Sequence, residues 1–231
     1  MADVKSISRR EILLTRGAGI GFTMAKTLAI NGASKVYILG RRLDVLENAA
    51  REQAGLIPVQ CDVTSKESLQ SAVDRITAEA GFVNLLVANS GVIGSGNAWD
   101  PKSSVQEVRK KLFTDHSMKE FTQAFHVNVS GAFFTMVAFL ELLDAGNKNA
   151  LKGGFGAPLS PTSEVPGIQS QVIVTSSIAA FSRMALSPPA YSGSKAAIMH
   201  LTKHASTSMA PYGIRANALA PGCKYPSFRQ G

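Results

Sequence analysis

At 231 residues, with 45 % apolar and 17 % charged side chains, the chain has a globular composition and is long enough to bury roughly 70–75 % of its unfolded surface as one domain. Its most apolar run, Gly131 to Leu143, is broken by Glu141, so no membrane span is predicted, and Met1 to Arg10 lacks an apolar signal core. Two cysteines, Cys61 and Cys223, argue against a disulfide framework or a metal cluster and fit a reducing, cytoplasmic compartment; the net charge of +8 is scattered without a basic run, which argues against nucleic acid.

Taken in order, Glu11 to Thr15 is a short apolar strand that ends at a glycine turn, and Phe22 to Ile30 reads as a helix stopped by Asn31-Gly32. Lys35 to Leu39 is a second strand, Leu43 to Ala54 a helix closed by Gly55, and Leu56 to Gln60 a third strand. Thr64 to Glu67 has capping-box form and opens a helix to Ala80, before a fourth strand from Val83 to Ala88. Helices are predicted from about Ser104 and from Phe121 to Leu143. Asp144 to Ser170, rich in Gly, Pro, Ser and Asn, reads as a surface insertion. Gln171 to Thr175 is a fifth strand, Tyr191 to Pro211 a helix, and Ile214 to Leu219 a sixth strand. Continuous apolar strands alternating with helices predict one α/β domain with a doubly wound parallel sheet across residues 1–231.

Three features carry chemistry. Gly17-Ala18-Gly19-Ile20-Gly21 lies between the first strand and the first helix, where glycines let the backbone approach a pyrophosphate, although the same residues would also serve a plain turn. The second strand runs into Gly40, Arg41 and Arg42 rather than an acidic residue. Guanidinium groups there suit a ribose 2′-phosphate, hence NADP(H), unless the pair only opens a surface helix. Finally, Tyr191 and Lys195 are four apart and share one helix face, so the ammonium would stabilise a phenolate. His200 and His204 are also four apart, but no carboxylate completes a metal pattern.

With Cys61-Asp62-Val63, Ala88-Asn89-Ser90-Gly91, Val127-Asn128, Ser176-Ser177, Tyr191-x-x-x-Lys195 and Ala216 to Gly222 following in order, the chain resembles the single-domain short-chain dehydrogenases/reductases from about residue 10 to residue 222. Within the family it is similar to fungal NADPH-dependent carbonyl and 3-oxoacyl reductase-like members. The resemblance implies a Rossmann-type sheet and hydride transfer between NADP(H) and a carbonyl or secondary alcohol. Tyr191 would be the acid or base, Lys195 its partner and a ribose ligand, Ser177 (preferred to Ser176) a donor to the substrate oxygen, and Asn128 the holder of a relay water. Gly17, Gly19, Ile20 and Gly21 would face the pyrophosphate, Arg41 and Arg42 the 2′-phosphate, Asp62 and Val63 the adenine, Asn89 and Gly91 the adenosine side, and Pro221 and Gly222 the nicotinamide. A homodimer or homotetramer is the family expectation.

The chain departs from the family in a glycine turn one residue short. By the same resemblance, the lid and seventh strand that family members carry after Pro-Gly are expected to be absent, so six strands are expected, the sixth on an apolar edge. The alternative to an enzyme is a catalytically silent member that binds NADP(H) or a protein partner.

Overall fold

The computed structural model describes residues 11–15 and 19–222, so Gly17 of the glycine turn lies outside the described residues. Six strands, β1 (Glu11–Thr15), β2 (Lys35–Gly40), β3 (Leu56–Gln60), β4 (Leu85–Ala88), β5 (Gln171–Thr175) and β6 (Arg215–Leu219), form one sheet in the order β3-β2-β1-β4-β5-β6. Every pairing is parallel, with Leu14 opposite Ile38 on one side and opposite Val87 on the other. The helices that cross between strands cover both faces, which is why Val36 to Leu39 are wholly buried and read as one apolar run. This is the Rossmann-type doubly wound fold.

On one face, α1 (Ile20–Ile30) and α2 (Leu43–Glu52) enclose Ile12, Val36, Ile38, Leu46 and Val87. On the other, α3 (Lys66–Glu79), α6 (Ala132–Ala138), α7 (Leu140–Leu151) and α8 (Pro189–Met209) enclose a larger core around Tyr37, Leu86, Met136, Phe139 and Ile198. Between β4 and α6 come a polar loop, the short α4 (Val105–Arg109), α5 (Met118–Phe125) and a π-helical stretch, His126–Gly131. Ser104 and Ser117 open α4 and α5 with reciprocal capping boxes to Glu107 and Glu120. No single described helix is long and apolar enough to cross a membrane.

Four expectations are corrected. The cap of α3 is Ser65, whose hydroxyl accepts from the Ser68 amide, while Thr64 turns back to the Asp62 carboxylate. The helix expected over Phe121–Leu143 starts at Met118, breaks at Phe139 and turns by 44° into α7. That helix runs to Leu151, so the first part of the Asp144–Ser170 stretch is not a surface insertion: Gly146, Asn147 and Ala150 are buried in it. Last, β6 is not a continuous apolar edge, because Arg215 and Asn217 are exposed while Ala216 is buried.

Candidate active site

In this order successive strands are added in one direction from β1 to β3 and in the other from β4 to β6. A crevice opens at that switch beyond the carboxyl ends of the strands, the place where doubly wound sheets bind ligands. Two adjoining cavities, of about 780 and 590 Å³, fill that crevice and share Gly91, Val92 and Gln123. Gly19 and Ile20 enter the larger one at the start of α1, where Gly19 takes φ 62°, a left-handed conformation that favours glycine. Gly21, one residue into the helix, is buried.

The larger cavity also holds Asn89, Ser177, Tyr191, Lys195, Pro221 and Gly222. Lys195 is 4 % exposed, and its Nζ donates to the Thr175 carbonyl oxygen at 2.8 Å while lying 5.8 Å from the centre of the Tyr191 ring. Helical spacing thus brings phenol and ammonium together, and the end of β5 fixes the ammonium. Gly193, between them, lets α5 approach: a Cβ there would sit 3.1 Å from Phe125 Cζ.

The two serines after β5 divide their tasks. Ser176 is buried and donates to the Lys195 carbonyl oxygen at 2.9 Å, so it ties α8 to the sheet. The Ser177 hydroxyl accepts from the Ala179 amide at 3.1 Å. That bond uses a lone pair and leaves the hydroxyl hydrogen to donate into the cavity. The Ile178 amide donates to the Pro221 carbonyl oxygen at 3.1 Å, which holds Pro221 beside this turn, and Pro221 and Gly222 line the same cavity.

Asn128 is 1 % exposed and sits in the π-helical stretch. Its Oδ1 accepts from the Val92 amide at 2.7 Å; its Nδ2 donates to the Val92 carbonyl oxygen at 2.8 Å and to Ser194 Oγ at 2.9 Å. The side chain therefore joins the loop after β4 to α8. Gly91 must be small here, because a Cβ would meet Asn128 Oδ1 at 3.1 Å and Lys195 Nζ at 3.2 Å.

The smaller cavity gathers Arg41, Arg42, Asp62 and Val63 with Thr64, His126 and Val127. Asp62 Oδ1 accepts from the Thr64 amide at 2.9 Å and its hydroxyl at 2.7 Å. These bonds, with smaller pulls from Arg41 and His126, hold the Asp62 carboxyl below the usual carboxylate range. Gln60 Nε2 donates to the Arg41 carbonyl oxygen at 3.1 Å and steadies the arginine pair.

All of the sequence-predicted site residues that are described, apart from buried Gly21 and Asn128, line these two cavities; Asn128 stands directly behind them. Sequence reasoning missed Thr175, Gln123 and His126. Thr175 was within reach, since it ends β5 at the carboxyl edge of the sheet. Gln123 and His126 reach the crevice from the junction of α5 with the π-helical stretch, which leaves no sequence signature.

A nicotinamide dinucleotide fits what is present: a cavity pair of ligand-site size, backbone brought close by Gly19 and Gly91, and cationic side chains at both ends. The comparisons agree. The family model described as short chain dehydrogenase matches residues 11–151 and 162–230. A short-chain dehydrogenase/reductase of Stachybotrys chartarum is 61 % identical over 205 residues, covering 88 % of this chain and 75 % of that protein. One from Diaporthe leptostromiformis is 45 % identical over 232 residues, covering 98 % and 73 %. Among solved structures, a short-chain type dehydrogenase/reductase from Mycobacterium marinum superposes with TM-score 0.75 at 27 % identity, over 95 % of this chain and 77 % of that one. An NAD+-bound xylitol dehydrogenase gives 0.73 at 26 %, over 96 % and 73 %. Fold, crevice and relatives converge on an oxidoreductase with a nicotinamide cofactor, and the chain belongs to the short-chain dehydrogenase/reductase family.

Proposed function

We propose that the chain is an NADPH-dependent reductase of ketones or aldehydes, reversible as an alcohol dehydrogenase, with Tyr191 as its acid and base. The observation that carries this reading is the meeting of Ser177, Tyr191 and Lys195 on one cavity, with the lysine held at the end of β5. When bound, a nicotinamide cofactor supplies the hydride. Ser177 donates its hydroxyl hydrogen to the carbonyl oxygen and orients it. Tyr191 gives that oxygen a proton as negative charge develops on it, and Lys195 stabilises the phenolate left behind. Lys195 Nζ, held on the Thr175 carbonyl oxygen, is the group that would meet the ribose hydroxyls of a bound cofactor.

The preference for NADP(H) is supported by Arg41 and Arg42, which share the smaller cavity with Asp62, while β2 ends on Gly40 with no carboxylate to repel a 2′-phosphate. The test follows deuteride from C4-labelled NADPH into a panel of ketones and aldehydes by mass spectrometry. Label on the alcohol carbon, with NADPH outcompeting NADH, is the expected result. Nucleotide binding without label transfer would instead favour a catalytically silent member of the family.

A further inference from the structure

Val92, Ile93 and Gly94 form one wall of the larger cavity, and they belong to an irregular segment, residues 89–104, that follows β4. Irregular backbone keeps a fixed shape only where something holds it, and this stretch is fastened to the neighbourhood of α5 at three points. Asn128 grips both backbone groups of Val92. Gly94, at φ 75°, lies so close to α5 that a Cβ there would sit 3.2 Å from the Ala124 Cβ.

The third point involves residues with no part in the chemistry above. Ser95 Oγ is 3.1 Å from His116 Nε2, and His116 Nδ1 is 3.6 Å from Glu120 Oε2. The imidazole side chain is only 7 % exposed, and Nδ1 is buried without a hydrogen-bond partner among the described residues. A carboxylate facing Nδ1 favours the tautomer with the hydrogen there, which leaves Nε2 to accept from the Ser95 hydroxyl. Glu120 Oε2 is itself fixed by the Ser117 amide at 2.9 Å and hydroxyl at 2.8 Å. Phe121 packs edge-on against the imidazole, with ring centres 6.2 Å apart.

We propose that His116 is a positioning residue: the Ser95–His116–Glu120 chain clasps the pocket-facing stretch after β4 to α5 and so fixes the wall against which the carbonyl substrate packs. The clasp lies off the nucleotide arm, so it governs substrate fit and not cofactor affinity. Its substrate term rests on the reductase reading; its effect on the segment does not.

Trp99, the only tryptophan of the chain, is four residues beyond Ser95 on the same segment and is 55 % exposed, so it reports on that segment directly. His116→Phe keeps a ring against Phe121 and removes both nitrogens; His116→Gln returns an amide toward Ser95; Ser95→Ala deletes the other end of the bond without touching the buried ring. His116→Phe and Ser95→Ala should each increase acrylamide quenching of Trp99 and raise KM for a bulky ketone such as decalone about fivefold, the size expected of one lost neutral hydrogen bond. Turnover number and NADPH Kd should stay within about twofold. The double variant should be no worse than the worse single, and His116→Gln should recover most of the loss. Unchanged quenching, additive effects in the double variant, or a loss that falls on NADPH affinity would overturn the proposal. If wild type reduces no ketone, the reductase reading fails while the Trp99 quenching cycle still decides the clasp.

Discussion

Replacing Asn128 by alanine should damage the molecule more than any other single truncation near the crevice. The amide makes three hydrogen bonds, of 2.7, 2.8 and 2.9 Å, from a position that is 1 % exposed. Two of them satisfy the amide and carbonyl of Val92, and the third reaches Ser194, whose own hydroxyl donates to the Tyr191 carbonyl oxygen at 2.7 Å. At a net 1 kcal/mol or so per neutral bond, Asn128→Ala should cost about 3 kcal/mol. For a domain of this size that lowers the thermal midpoint by about 6–12 °C. Asn128→Asp should not rescue it, because a carboxylate oxygen would face the Val92 carbonyl oxygen in place of a donor. Carbonyl-dependent NADPH oxidation should fall alongside, since Val92 lines both cavities. Differential scanning fluorimetry and a steady-state assay suffice. A midpoint shift under about 2 °C with normal turnover would refute the view that Asn128 is the joint between the β4 loop and α8.

Other consequences are as specific. Arg41→Ala should weaken NADPH by about 10–100-fold, the value of one charge-assisted contact, and leave NADH nearly unchanged; equal loss for both would remove the 2′-phosphate assignment. Gly91→Ala should impair NADPH binding and turnover together, because the new methyl would press on Asn128 Oδ1 and Lys195 Nζ, both held by hydrogen bonds; calorimetric titration and rate should fall in step. The lowered folded-state value of Asp62 means that its ionisation adds stability above the ordinary carboxylate range, and that this is lost as pH falls through the depressed value. Thr64→Val removes the largest cause, so acid unfolding should begin at higher pH than in wild type; an unchanged acid limb would show that Thr64 does not hold the carboxylate.

Much of this architecture was legible because its signals are local. β1, β3 and β5 have the predicted bounds, since each is a short apolar run closed by glycine or polar residues. The pairing of Tyr191 with Lys195 followed from helical spacing alone. What escaped prediction is tertiary. Gly146 and Asn147 read as helix breakers, yet in α7 they are packing choices: a Cβ at Gly146 would collide with the Val83 carbonyl oxygen and Ser170 Oγ. Asn147 accepts from the Ser170 amide at 2.7 Å and donates to the Gly213 carbonyl oxygen at 2.9 Å. Their partners lie far along the chain, and tertiary bonds override weak local propensity. The cap at Ser65 was misplaced for a related reason, as Thr64 fits the same pattern but its hydroxyl is engaged by Asp62. The π-helical turn that carries Asn128 and begins at His126 has no compositional mark at all.

The central claim, that Tyr191 hands a proton to the substrate oxygen while Lys195 and Ser177 hold the stage, is tested most directly by Tyr191→Phe. One hydroxyl is removed from the cavity, and the ring that packs beside Lys195 is kept. Carbonyl-dependent oxidation of NADPH should fall by about two to four orders of magnitude, the range for loss of a positioned acid, while NADPH Kd stays within about twofold of wild type. Turnover within about tenfold of wild type in the variant would contradict the account.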